Sequence, residues 1–142
     1  MEQLLLMDRT FTFFGYAIHS AALARGAAVS GAATLGLGII GRFVDEGTLA
    51  AQVISALIII GFIAGGYVAG RGASTNHVVH GFLSSIPVAV LAIGITIVRV
   101  FGDRSDATVL GLVATSVLAG SLGTLGGLLG GRFSPSRRSL LK

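Results

Sequence analysis

The 142-residue chain contains no cysteine and no tryptophan, and only 11% of its residues are charged. Without cysteine there is no disulfide, no cysteine-ligated zinc or iron–sulfur centre, and no palmitoylation. Soluble domains carry about 25% charged residues, so this shortage excludes a globule clothed in ionic side chains. Negative charge is the scarcer sign, six Asp and Glu against ten Lys and Arg. Every acid lies in a terminal segment or a short polar connection. Proton relays and cation pathways place acids inside membrane spans, so a proton-coupled pump is disfavoured. No G-x-S-x-G, phosphate-binding loop or Ser–His–Asp set is present. The expectation is that the protein is not an enzyme and holds no cofactor or metal.

What is present is apolar sequence in runs. Apolar residues make up 53% of the chain, with a mean hydropathy of +0.88, and the runs are separated by short charged clusters. That pattern describes a polytopic helical membrane protein. The runs lack the period-2 alternation of barrel strands. The sequence predicts an all-α integral membrane four-helix bundle, a single membrane domain over 1–142. The predicted spans are 22–41, 49–70, 78–98 and 108–131. Between Arg25 and Arg42 only sixteen residues are uninterrupted, about 24 Å of helix against a hydrocarbon core of ~30 Å. Arg25 is therefore expected to snorkel, so that the first span extends backwards. The connections are short, which makes neighbouring helices antiparallel.

Before the first span lies TFTFFGYAIHS. Placed on a helix, Phe11, Phe14, Ile18 and Ala22 share one face, and Thr12, Tyr16, His19 and Ser20 the other. This predicts an amphipathic or N-terminal helix over 10–22, either lying in the interface or extending the first span. Residues 132–142 form a basic tail. The start of the chain, with Glu2 and Asp8, does not resemble a cleavable signal.

The net charge is +4 and the sequence pI about 10.7. Because the basic residues cluster at span ends, they point to membrane topology rather than to nucleic acid as a partner. Four spans put both termini on the side of the middle loop. That side carries Arg9, Arg25, Arg71, Arg132, Arg137, Arg138 and Lys142, against Arg42, Arg99 and Arg104 on the other. The positive-inside rule then places both termini in the cytoplasm, within the cell membrane. Arg25, Arg42, Arg71, Arg99 and Arg132 are the expected headgroup anchors.

Glycine is abundant, at 22 residues. In lipid, helices associate through close packing, so small residues mark contact faces. Ala119, Gly123, Gly127 and Gly131 form a row at four-residue spacing, with Ser116, Gly120 and Thr124 beside it. The second span pairs Gly61 with Gly65 and Gly66 with Gly70, and the first carries Gly26, Ser30, Thr34 and Gly38. Helix packing is expected at Gly61, Gly65, Gly66, Gly70, Gly123, Gly127 and Gly131. The span endings GGYVAGR, residues 65–71, and GGLLGGR, residues 126–132, echo one another. Aligned on Arg71 and Arg132, they suggest two hairpins related by an axis along the membrane normal.

The stretches IAGGYVAGR, HGFLSSIPVAVLAIGI and LAGSLGTLGGLLGGR resemble a class of small uncharacterised bacterial and archaeal four-span membrane proteins of unknown function with a Gly-rich last helix. The resemblance covers about residues 49–132. It implies fold and topology and brings no activity.

The only histidines are His19, His77 and His80. Metal or haem ligation would require their rings to converge with further ligands from other helices; a helix start capped by Ser74, Thr75 or Asn76 is the simpler reading. Polar residues within the spans (Gln52, Ser55, Ser84, Ser85, Thr96, Thr115, Ser116, Ser121) look sparse and scattered. Pro87 predicts a kink whose freed carbonyl Ser84 or Ser85 can serve. The leading expectation is a structural or accessory protein that packs with itself or within a larger membrane assembly, in contact with the lipid bilayer. The alternative is a small transporter or channel.

Overall fold

The computed structural model describes residues 10–101 and 108–134; side chains from 98 to 101 are not described. A β-hairpin, β1 (Thr10–Phe13) and β2 (Tyr16–His19), leads into four helices: α1 (Ser20–Gly41), α2 (Leu49–Gly72), α3 (His77–Phe101) and α4 (Val109–Arg132). At ~1.5 Å per residue each helix is about 33 Å or longer, enough to cross a hydrocarbon core. All four are apolar enough to do so. Exposed Leu, Ile, Val and Phe side chains cover the outside of the bundle, as expected where the surrounding solvent is lipid.

The helices alternate in direction. A Cβ placed on Gly26 would meet Ala69 at 2.6 Å, and one on Gly61 would meet Ala33 at 2.5 Å, so α1 and α2 run antiparallel. Gly127 lies against Gly81 and Gly131 against His77, which makes α3 and α4 antiparallel. Gly66 meets Gly123 and Gly70 meets Gly127, so α2 and α4 run parallel, side by side. α2 also packs against α3, while α1 and α4 make no comparable contact among the described residues. A twofold axis relating the two hairpins would make those two pairs alike, so the expected axial symmetry is absent. The echoed endings nonetheless touch each other along the α2–α4 seam.

Residues 10–19 form a hairpin, not the expected amphipathic helix. The register pairs Phe11 with Ile18 and Phe13 with Tyr16, leaving Phe14 and Gly15 as a two-residue turn. Both turn residues have positive φ, 49° and 80°, as in a type I′ turn, whose twist suits paired strands. Thr-Phe-Thr-Phe alternates with period two and is rich in β-branched and aromatic residues, which favours a strand over a helix. The helix therefore begins at Ser20. Ile18 is fully buried and anchors the hairpin to the end of the bundle, while Phe14 at the tip is 87% exposed.

Local capping sets the other ends. Thr48 Oγ1 accepts from the Ala51 amide and Thr108 Oγ1 from the Gly111 amide, starting α2 and α4. Before α3, Asn76 adopts φ 54°, a left-handed conformation that Asn tolerates. Pro87 lies inside α3. Ser84 and Ser85 donate to the carbonyls of Gly81 and Phe82, not to the Leu83 carbonyl that proline leaves free. The side chain of Arg99 and the basic tail beyond Ser134 lie outside the described residues.

Candidate functional site

Two features gather polar atoms, one at each end of the bundle. At the hairpin end the three histidines staple segments together. The His19 amide donates to His80 Nε2 at 2.8 Å. His80 Nδ1 lies 3.0 Å from the Asn76 carbonyl, and a carbonyl only accepts, so Nδ1 carries the proton. His80 is fully buried, with both ring nitrogens engaged. The same reasoning puts the proton of His77 on Nδ1, 2.7 Å from the Gly70 carbonyl. His19 Nε2 lies 2.6 Å from Ser74 Oγ. Ser74 thus serves the hairpin instead of capping α3. His80 has no nitrogen left for a metal, and no group of three His, Asp, Glu or Cys gathers among the described residues.

The other feature is a cavity of about 340 Å³ at the opposite end, lined by residues of all four helices. Its floor is Phe62, Val88 and Ala119, which form the buried apolar cluster of the bundle. Its walls carry Thr34, Thr96, Thr115 and Ser116, and Thr108 stands at its outer rim. Eleven residues of α4 separate Ala119 from Thr108, so the cavity runs about 16 Å along that helix. Thr96, Thr115 and Ser116 donate to carbonyls of their own helices, the usual arrangement in apolar surroundings. Thr34 differs: its Oγ1 is buried and has no hydrogen-bond partner among the described residues.

Of the residues expected to pack, Gly66 faces Gly123, and Gly70 faces Gly127 at 2.5 Å from a built Cβ. Gly65 would meet the Gly26 carbonyl at 2.7 Å, Gly61 meets Ala33, and Gly131 meets His77. Several glycines outside the expected set share these seams. Gly81 lies against Gly123 and Gly127, Gly126 against the Ile63 carbonyl, and Gly130 against the Tyr67 carbonyl. Gly126 and Gly130 stand one residue off the four-spaced row, where α4 turns from α3 towards α2. Arg25, Arg42, Arg71 and Arg132 are all exposed near helix ends. Arg71 extends to Tyr67 OH at 3.5 Å. Thr96, Thr115 and Ser116, scattered in the sequence, converge on the cavity. No sequence signal marks that convergence, because Thr96 comes from α3 and Thr115 and Ser116 from α4.

Four packed helices, each long and apolar enough to span, make this an integral membrane protein of the four-helix-bundle class. No protein-family model, curated protein or solved structure matches the chain.

Proposed function

We propose that the protein is a non-enzymatic accessory component of the cell membrane. In this reading it packs through glycine-lined helix faces and works as a homo-oligomer or as a subunit of a larger membrane assembly. The observation that carries it is the use made of the polar groups. All three histidines join one segment of the chain to another, and almost every buried hydroxyl donates to its own helix. Such groups hold a shape.

The excess of Arg and Lys on the hairpin side orients both termini towards the cytoplasm. Arg25, Arg42, Arg71, Arg99 and Arg132 then anchor the helices at the headgroups. A reporter fused after Lys142 should be active only inside the cell. Native mass spectrometry from mild detergent should give a mass of more than one protomer, or a defined complex. A lone protomer together with solute flux in reconstituted liposomes would overturn the accessory reading.

A small solute transporter is the second reading, and one observation favours it: the convergence of five hydroxyl residues on a cavity that reaches from one end to mid-bundle. Flux above empty liposomes would put this reading first.

A further inference from the structure

Of the three histidines at the hairpin end, His80 is the one whose ring accepts from a backbone amide. The His19 amide donates to His80 Nε2 at 2.8 Å, so that nitrogen carries no proton. His80 Nδ1 donates to the Asn76 carbonyl at 3.0 Å, which aims Nε2 at the hairpin. An imidazolium has two N–H donors and no acceptor. A second proton on His80 and the bond from His19 therefore exclude one another. His77 differs, because its Nδ1 donates to the Gly70 carbonyl whether or not the ring is charged. His19 can likewise keep its contact with Ser74 Oγ, since a hydroxyl accepts as well as donates.

We propose that the His19–His80 bond is a pH-sensitive latch: it is closed while His80 is neutral, and protonation of His80 opens it and releases the β-hairpin from the bundle. Little else holds the hairpin among the described residues. Within residues 10–19 Ile18 alone is buried, and the His19–Ser74 contact is a second polar tie. An imidazolium kept in the docked position would be fully buried and pressed against the His19 N–H. Its titratable neighbours among the described residues are His19, with ring centroids 5.9 Å apart, and His77, one turn back on α3. α1, α2 and α4 bring Arg25, Arg71 and Arg132 to the same end, all exposed. None of these groups supplies a negative charge to His80, and a buried charge without a partner is costly. The sign follows from where the proton can bind. Docking keeps the second proton off His80, and undocking frees the ring to take it up at about pH 6.5, as an unperturbed imidazole does. The undocked state therefore binds more protons, and docking weakens as pH falls, by up to about tenfold per pH unit below that value. The latch requires neither the accessory reading nor solute passage.

The test uses the full chain in mild detergent, with ring-¹⁵N histidine and methyl-labelled isoleucine, titrated from about pH 8 to about pH 4.5, a range that brackets histidine titration. Ring ¹⁵N shifts report the tautomer and charge of His80, and the Ile18 methyl reports whether the hairpin is docked. At the alkaline end His80 should be the Nδ1–H tautomer. Its Nε2 should gain a proton over the same pH interval in which the Ile18 methyl leaves its buried environment, with far-UV circular dichroism showing the helices intact. His80→Gln offers the His19 amide an acceptor that does not titrate, and should keep Ile18 docked across the range. Ile18 remaining docked in wild type while His80 takes its second proton, or down to the acid end of the titration, would overturn the proposal. So would an Ile18 transition in His80→Gln that matches wild type. If His80→Gln fails to dock at any pH, the coincidence of the two wild-type signals decides.

Discussion

A single added methyl group should act oppositely at two glycines of this bundle. Gly70 and Gly38 both lie two or three residues before the end of their helices. A Cβ on Gly70 would stand 2.5 Å from the Gly127 carbonyl oxygen and 2.7 Å from Gly127 Cα. Ordinary contact begins near 3.4 Å, so Gly70→Ala forces α2 and α4 apart by nearly 1 Å. The obstructing atoms are backbone, and no rotamer change relieves them. A gap of that size forfeits a quarter to a half of each dispersion contact along the seam, and overpacking of this kind costs about 1–3 kcal/mol. At Gly38 a Cβ would meet nothing within 4 Å. Both substitutions gain similar helix propensity, about 1 kcal/mol. Gly38→Ala should therefore stabilise slightly. The difference between the two variants isolates the seam, about 1–3 kcal/mol in favour of Gly38→Ala. Reversible unfolding by SDS in mixed micelles, followed by far-UV circular dichroism, measures it. If Gly70→Ala proves as stable as Gly38→Ala, the helices are not in backbone contact and the seam is wrong.

Three further substitutions probe the hairpin end and one cap. His80→Leu leaves the His19 amide without its acceptor, which costs about 1–3 kcal/mol locally. Hydrogen exchange of the His19 amide should accelerate roughly tenfold or more, and unchanged protection would remove the staple from the account. Gly15→Ala meets nothing within 4 Å but must adopt φ near +80°. It should loosen the hairpin by about 1 kcal/mol, seen as faster exchange in β1 and β2 with bundle stability untouched. Thr48→Ala removes the cap on the Ala51 amide and should cost about 1 kcal/mol, whereas Thr48→Ser should cost little in the same SDS titration.

Four apolar helices were legible because three runs are long, uncharged and bounded by charge, and the first becomes long enough once it extends back past Arg25. The hairpin was misread for a definable reason. Phe11, Phe14 and Ile18 fit a helical face, but Thr10 to Phe13 fit a strand better, and its turn lacks the Asn-Gly that marks most type I′ hairpins. Phe14 instead takes the positive φ itself. Four-residue spacing identified Gly123, Gly127 and Gly131 as one face of α4. It did not indicate that Gly126 and Gly130 form a second, because α4 sits in a groove between two helices and not against one. The cavity was invisible, because Thr34, Thr96, Thr115 and Ser116 lie on three different helices and meet only in the folded bundle.

The glycines also divide the bundle along its length. Those whose Cβ would collide with a neighbour lie between the hairpin end and the Phe62–Val88–Ala119 layer (Gly26, Gly65, Gly66, Gly70, Gly81, Gly120, Gly123, Gly126, Gly127, Gly130, Gly131) or, in the case of Gly61, at that layer beside Phe62. Beyond that layer Gly36, Gly38 and Gly94 face open space, and the helices enclose the cavity. Helices in backbone contact leave no channel between them, so the cavity ends blind at mid-bundle. Any solute crossing from it would have to separate α2, α3 and α4, and the variant that wedges α2 from α4 tests for such a path. Under the accessory reading, liposomes bearing Gly70→Ala remain as tight as those bearing wild type, and the substitution changes stability alone. Under the transport reading, widening the seam lowers the barrier below the floor, and Gly70→Ala passes a small uncharged solute faster than wild type. The expected outcome is equal flux with reduced stability; faster flux in the wedged variant would make the cavity half of a pathway and the glycine seam its gate.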